Sequence, residues 1–115
     1  MPRLLYVEDD ELLQMVTTIA LEEAGFEVTQ ASNGHSAREL LAANEGFDYV
    51  VSDISMPGGV TGVDVAEAAL QARPSCRTVL ISGYALAQLP TLPANAQFLE
   101  KPYHVRDLLA ALGGN

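Results

Sequence analysis

Five polar residues stand where apolar runs of the chain end: Glu8, Asp9, Asp53, Ser82 and Lys101. Three carboxylates brought into one crevice would repel and raise one another's pKa unless positive charge sits among them. A divalent cation held by oxygens answers that need. Mg²⁺ in particular takes one or two carboxylates, keeps several waters and is completed by a phosphate. Lys101 offers a point charge to a phosphate or to Asp53, and Ser82 offers a hydroxyl that can donate to a phosphoryl oxygen. Such a group suits phosphoryl transfer onto a carboxylate. Asp53 would be the nucleophile, while the cation and Lys101 offset charge at phosphorus. Taken alone, Asp53 reads equally well as an aspartate that caps a loop. What decides is whether the chain brings the five together.

The elements that must do so can be read in order. Arg3 to Val7 reads as a short buried strand, with Glu8-Asp9-Asp10-Glu11 at its carboxyl end. Asp10 can cap a helix and Glu11 favours the positive end of its dipole. Leu12, Leu13, Val16, Ile19, Ala20 and Leu21 have helical spacing, and Gly25 is a good stop. Phe26 to Ala31 reads as a second strand. Asn33 is a candidate cap for a helix marked by Ala37, Leu40, Leu41 and Ala42 and ended by Asn44-Glu45-Gly46. Phe47 to Asp53 is a third strand, aromatic and β-branched from Tyr49 to Val51, with Pro57-Gly58-Gly59 as turn punctuation. Gly62 to Ala72 predicts a helix stopped by Pro74. Thr78 to Ile81 and Ala96 to Leu99 read as the last two strands. Between them Tyr84 to Leu89 can form only a stub before Pro90 and Pro93. Val105, Leu108, Leu109 and Leu112 line a final helix closed by Gly113-Gly114.

Strand and helix thus alternate through one domain, residues 1–115. The pattern predicts an α/β fold: a parallel sheet with helices on both faces and right-handed crossovers. In such a sheet the carboxyl ends of the strands converge on one crevice, and these ends carry Glu8/Asp9, Asp53, Ser82 and Lys101.

Composition narrows the partners. Hydrophobic residues make up 49% of 115, enough for a core. A net charge of −9 argues against nucleic-acid binding, which needs clustered Lys and Arg. No apolar run approaches a membrane span, and the N-terminal run is too short for a signal peptide. The single cysteine, Cys76, excludes an internal disulfide and fits a reducing, cytoplasmic compartment.

Four segments carry a resemblance over essentially the whole length: Leu5-Tyr6-Val7-Glu8-Asp9-Asp10, Val51-Ser52-Asp53-Ile54-Ser55-Met56-Pro57, Leu80-Ile81-Ser82-Gly83-Tyr84 and Phe98-Leu99-Glu100-Lys101-Pro102. In this order, each at a strand end, they resemble the receiver domain of two-component response regulators. The likeness extends to the receivers of hybrid histidine kinases and to stand-alone regulators. The resemblance implies a flavodoxin-like doubly wound sheet of five parallel strands in order 2-1-3-4-5. It also implies that Asp53, 44 positions after Asp9, is the phosphoacceptor. Asp9 would bind Mg²⁺ directly, Glu8 through water, and the backbone carbonyl of Ser55 would join Asp53 as a ligand. Ser82 and Phe98 match the switch pair. Lys101-Pro102 matches a Lys-Pro whose peptide bond is typically cis, a geometry that would aim the amine into the crevice. The phosphoryl donor would be a histidine kinase or a histidine phosphotransfer protein.

Plainer readings stand beside these. Phe98 could be plain core and Tyr84 a mere cover rather than a gate. His35 and His104 read as surface residues, Cys76 as structural, Met56 as packing beneath its loop and Glu100 as a solvated charge. Two departures bear on output. Gly58-Gly59-Val60-Thr61 makes the loop one residue longer than is commonest in receivers. Ser82 and Lys101 are only 19 positions apart, which predicts a shortened or irregular fourth helix across residues 84–95. Dimerisation through that face is then disfavoured, and a monomer is expected. The chain reaches Asn115 with its last helix, so no DNA-binding or enzymatic output is expected within it. The leading function is a phosphoacceptor module that catalyses only its own phosphorylation and dephosphorylation. The alternatives are a small aspartyl-phosphate phosphatase or phosphotransferase, or a binding-only pseudo-receiver. The first would need an acid two residues beyond the nucleophile, where Ser55 stands. The second would ordinarily have a degraded acid pocket.

Overall fold

The computed structural model describes residues 1–43, 46–84, 91–93 and 96–113. Strand β1 (Arg3–Val7) leads to helix α1 (Glu11–Glu23), β2 (Glu27–Ala31) to α2 (Gly34–Ala43), and β3 (Tyr49–Asp53) to α3 (Gly62–Ala72). Strands β4 (Arg77–Ser82) and β5 (Gln97–Glu100) follow, and α4 (Val105–Ala111) closes the order. Every strand pair is parallel, and the sheet order is β2-β1-β3-β4-β5. This is the flavodoxin-like, doubly wound sheet with strand order 2-1-3-4-5. Its topological switch lies between β1 and β3, where such sheets open a crevice at the strands' carboxyl ends.

The central strands are apolar on both sides, as a parallel sheet between two helical layers requires. On one side Leu5, Val7 and Val50 pack with Ala37 and Leu41 of α2 and Val65 and Ala69 of α3. On the other, Leu4, Tyr6, Val51, Val79 and Ile81 pack with Leu21 of α1 and Leu108 of α4. Local chemistry sets the helix ends. The Asp10 carboxylate caps α1 by accepting from the Leu13 amide at 3.0 Å. Gly25, at φ +103°, reverses the chain after α1. Its amide donates to the Glu22 carbonyl and that of Phe26 to the Leu21 carbonyl, the paired closure that favours glycine there. Asn33 caps α2 through the Ser36 amide at 2.8 Å. Thr61 and Asp64 cap α3 reciprocally, at 3.0 and 3.3 Å. Arg73 is extended ahead of Pro74, which ends α3.

The observed strands differ from the expected bounds by one or two residues. Phe26 is taken by the closure of α1, so β2 starts at Glu27. Strand β4 gains Arg77 and Ser82 because each finds a partner rung, opposite Tyr49 and Glu100 respectively. Helix α1 holds a larger surprise. Leu21 is buried with Thr17 and Thr18, but Leu12, Met15, Val16 and Ile19 are 67, 53, 53 and 52% exposed. Helical periodicity identifies an apolar stripe; it does not say which face meets the sheet. The expected shortened fourth helix falls on residues 85–90 and 94–95, outside the described residues. Among the described residues no helix is long and apolar enough to cross a membrane.

Candidate functional site

Glu8 follows the last residue of β1, and its amide continues the ladder by donating to the Ala31 carbonyl at 3.0 Å. That rung turns the Glu8 side chain into the crevice, where the residue is 2% exposed. Asp53 ends β3 and is 5% exposed. Asp9, one residue past Glu8, is exposed at the rim. One oxygen from each of Glu8, Asp9 and Asp53 can lie within 4.8 Å of the others. Lys101 arrives from the far side of the sheet. Its amide donates to the Ser82 carbonyl at 2.8 Å, which extends β5 beside β4. The Lys101-Pro102 peptide bond is cis. The ammonium lies 3.1 Å from Asp53 Oδ1, 3.2 Å from Asp53 Oδ2 and 3.4 Å from Glu8 Oε1.

Charge in this crevice is incompletely balanced. Burial, then the neighbouring Asp53, pushes the Glu8 carboxyl up from 4.5 to about 8, against the Asp10 amide and Lys101, which pull it down. Burial pulls the Lys101 ammonium down, but Asp53 and Glu8 outweigh it and the net shift is upward. Asp53 Oδ1 is buried without a hydrogen-bond partner; Lys101 meets it as a charge, with hydrogen-bond geometry only to Oδ2. A buried carboxylate oxygen without a donor is costly. Three hard oxygen ligands around it fit a Mg²⁺-type cation.

The remaining expected residues are distributed around this centre. Ser82 ends β4, and its hydroxyl accepts from the Tyr84 amide at 2.9 Å. A cavity of about 60 Å³ is lined by Asp53, Ser55, Ser82, Tyr84 and Lys101. Phe98 is half-buried on β5 against the cluster of Ile54, Ala66 and Leu80. Met56 is half-buried against the core beneath its loop, and Cys76 is buried within that core. Glu100, His35 and His104 are exposed. A cavity of about 520 Å³ opens at the other end of the sheet beside Ser75, Arg77 and Gln97, away from these carboxylates.

Three residues make contacts at the site's margin that the sequence does not signal. The Gln14 side-chain amide donates to the Glu8 and Ala31 carbonyls at 3.1 and 3.0 Å. His35 Nε2 lies 2.7 Å from the Gly58 carbonyl oxygen and holds the long β3–α3 loop. Gly62 lies so near Asp53 that a Cβ would collide with the Asp53 carbonyl. The sequence marks Gly62 as the start of α3 but not its close approach to Asp53.

The family model for the response regulator receiver domain matches residues 4–113. Over 112 residues the chain is 38% identical to the response regulator receiver protein CpdR of Brucella abortus, covering 95% of this chain and 92% of that one. It is 34% identical to a stretch of the sensor kinase CckA of the same organism, covering 90% of this chain but 11% of the kinase. Among solved structures, a response regulator receiver protein from Sinorhizobium medicae superposes with a TM-score of 0.91. It is 31% identical, covering 97% of this chain and 91% of that one.

Proposed function

The chain belongs to the response regulator receiver family, the receivers of two-component signalling, and from that premise we propose that it accepts a phosphoryl group on Asp53. The observation that carries this is the strand-end cluster: two buried carboxylates facing the Lys101 ammonium, a rim carboxylate beside them, and a carboxylate oxygen left without a donor. In the proposed reaction an Asp53 carboxylate oxygen attacks the phosphorus of a phosphohistidine. The new P–O bond forms as the P–N bond breaks, and the imidazole leaves with the electron pair. Lys101 holds Asp53 in place and meets the incoming phosphoryl charge. Glu8 (through water), Asp9, Asp53 and the Ser55 carbonyl would hold Mg²⁺, which supplies positive charge against the phosphoryl oxygens. The Ser82 hydroxyl, now taken by the Tyr84 amide, is the group that would turn to a phosphoryl oxygen, and Phe98 would follow it.

The donor in this reading is a histidine kinase or a phosphotransfer protein. The exposed stripe of α1 supports it, because Leu12, Met15, Val16 and Ile19 face outward and Val16 shares a groove with Lys101, a surface that can seat a partner. Residues 1–115 would act as one receiver domain in the cytoplasm and signal through contact or through the phosphoryl group itself. Intact mass after incubation with Mg²⁺ and acetyl phosphate tests the proposal. A single phosphoryl adduct is expected, lost in Asp53→Asn. No adduct on the wild type would overturn it, and repeated turnover of phosphoesters would favour a hydrolase.

A further inference from the structure

The acids that would hold the cation sit where the β-ladder stops. Glu8 makes the last rung, and the 8–9 peptide that carries Asp9 lies beyond it. Asp9 is exposed and within reach of the Asp53 carboxylate, a like charge that disfavours its staying there. Something must hold that peptide for Asp9 to remain in reach of the other two. Among the described residues the side-chain donor to the Glu8 carbonyl is Gln14, whose amide spends one hydrogen there and the other on the Ala31 carbonyl. The Glu8 carbonyl belongs to the peptide that joins Glu8 to Asp9. Its direction sets the plane from which the Asp9 side chain departs. Gln14 itself is anchored, because its backbone amide donates to the Asp10 carbonyl at 2.9 Å in the first turn of α1.

We infer that Gln14 is a positioning residue for the cation site: its amide joins the ends of β1 and β2 and so holds Asp9 facing Glu8 and Asp53. The inference rests on the reading of that cluster as a Mg²⁺ site. A neutral amide suits the task. It supplies two donors without adding a positive charge that would compete with the cation for the carboxylates. The competing explanation is that Gln14 merely staples α1 to the sheet. Gln30 separates the two, since its side chain donates to Thr18 Oγ1 at 2.9 Å across the same α1–β2 seam, away from the crevice.

The test measures Mg²⁺ binding by calorimetry without phosphodonor, alongside thermal melting, for wild type, Gln14→Leu and Gln30→Leu. Removing a partner that orients metal ligands costs about 10–100-fold in affinity. Gln14 acts through a main-chain carbonyl, so a loss of roughly tenfold, at the low end of that range, is expected. Gln30→Leu should melt earlier with Mg²⁺ affinity unchanged. With acetyl phosphate, saturating Mg²⁺ should return Gln14→Leu to the wild-type rate, so the deficit lies in metal affinity. Wild-type affinity in Gln14→Leu, with melting lowered as in Gln30→Leu, would reduce Gln14 to a staple. Absence of Mg²⁺ binding by the wild type would instead overturn the receiver reading beneath it. Should Gln14→Leu fail to fold, Gln14→Met keeps the length and flexibility of the side chain and gives the same comparison.

Discussion

Lys101 shows how much one residue holds at this site. Its ammonium is the partner of two carboxylates that are nearly excluded from water. Replacing it by Met keeps the stem and leaves Glu8 and Asp53 facing each other. Unpaired buried polar groups cost about 1–3 kcal/mol, and Glu8 can escape part of that by holding its proton. Lys101→Met is therefore expected to lower the urea midpoint of the metal-free protein and to slow phosphorylation by acetyl phosphate at saturating Mg²⁺. An unchanged midpoint and rate would mean the ammonium is solvated rather than shared. The acids and Lys101 were legible because each stands at the carboxyl end of an apolar run, and run ends converge in a parallel sheet. Gln14 and His35 were not. Their partners are main-chain carbonyls, and a main-chain acceptor leaves no residue type to recognise.

At the scale of elements, two features govern what the site can do. The first is the approach of α3 to β3. The Gly62 amide donates to the Ile54 carbonyl at 2.9 Å, and the absence of a side chain lets the helix start against Asp53. Gly62→Ala would force the helix start and the end of β3 apart. A lowered melting temperature and slower Asp53 phosphorylation are both expected, although alanine ordinarily favours a helix. A more stable, fully active variant would show that the loop absorbs the methyl group. The second is α1. Its periodicity was read correctly as a helix, but the outward stripe was hidden, because Thr17 and Thr18 take the inward places that apolar residues usually hold. Gln30 satisfies Thr18 from β2, which makes that inward hydroxyl tolerable. Ile19→Glu is expected to slow transfer from a phosphorylated histidine donor while acetyl phosphate still modifies Asp53. Equal loss with both donors would place the defect in folding.

For the whole molecule, the acidic balance and the buried cluster act together. The net charge is −9, and Glu8 titrates in the folded, metal-free protein near 8 rather than its ordinary 4.5. The folded state therefore binds the Glu8 proton more tightly than the unfolded chain does. Between those two pH values it carries more protons, so stability falls as pH rises. The Glu8 contribution is fully present below about 4.5 and is lost as pH climbs through about 8. Without metal, the melting temperature of the wild type is expected to fall across that window relative to Glu8→Gln, which has no proton to lose. Mg²⁺ should reverse the trend. A cation bound only by the folded state stabilises it, and ligand carboxylates must be deprotonated to bind. The rise in melting temperature on adding Mg²⁺ should thus grow from pH 6 to pH 8.5, and calorimetry at pH 7 should register proton release. A wild type that tracks Glu8→Gln at every pH would show that Glu8 is already ionised in the folded crevice. Burial beside Asp53 would then not govern its charge.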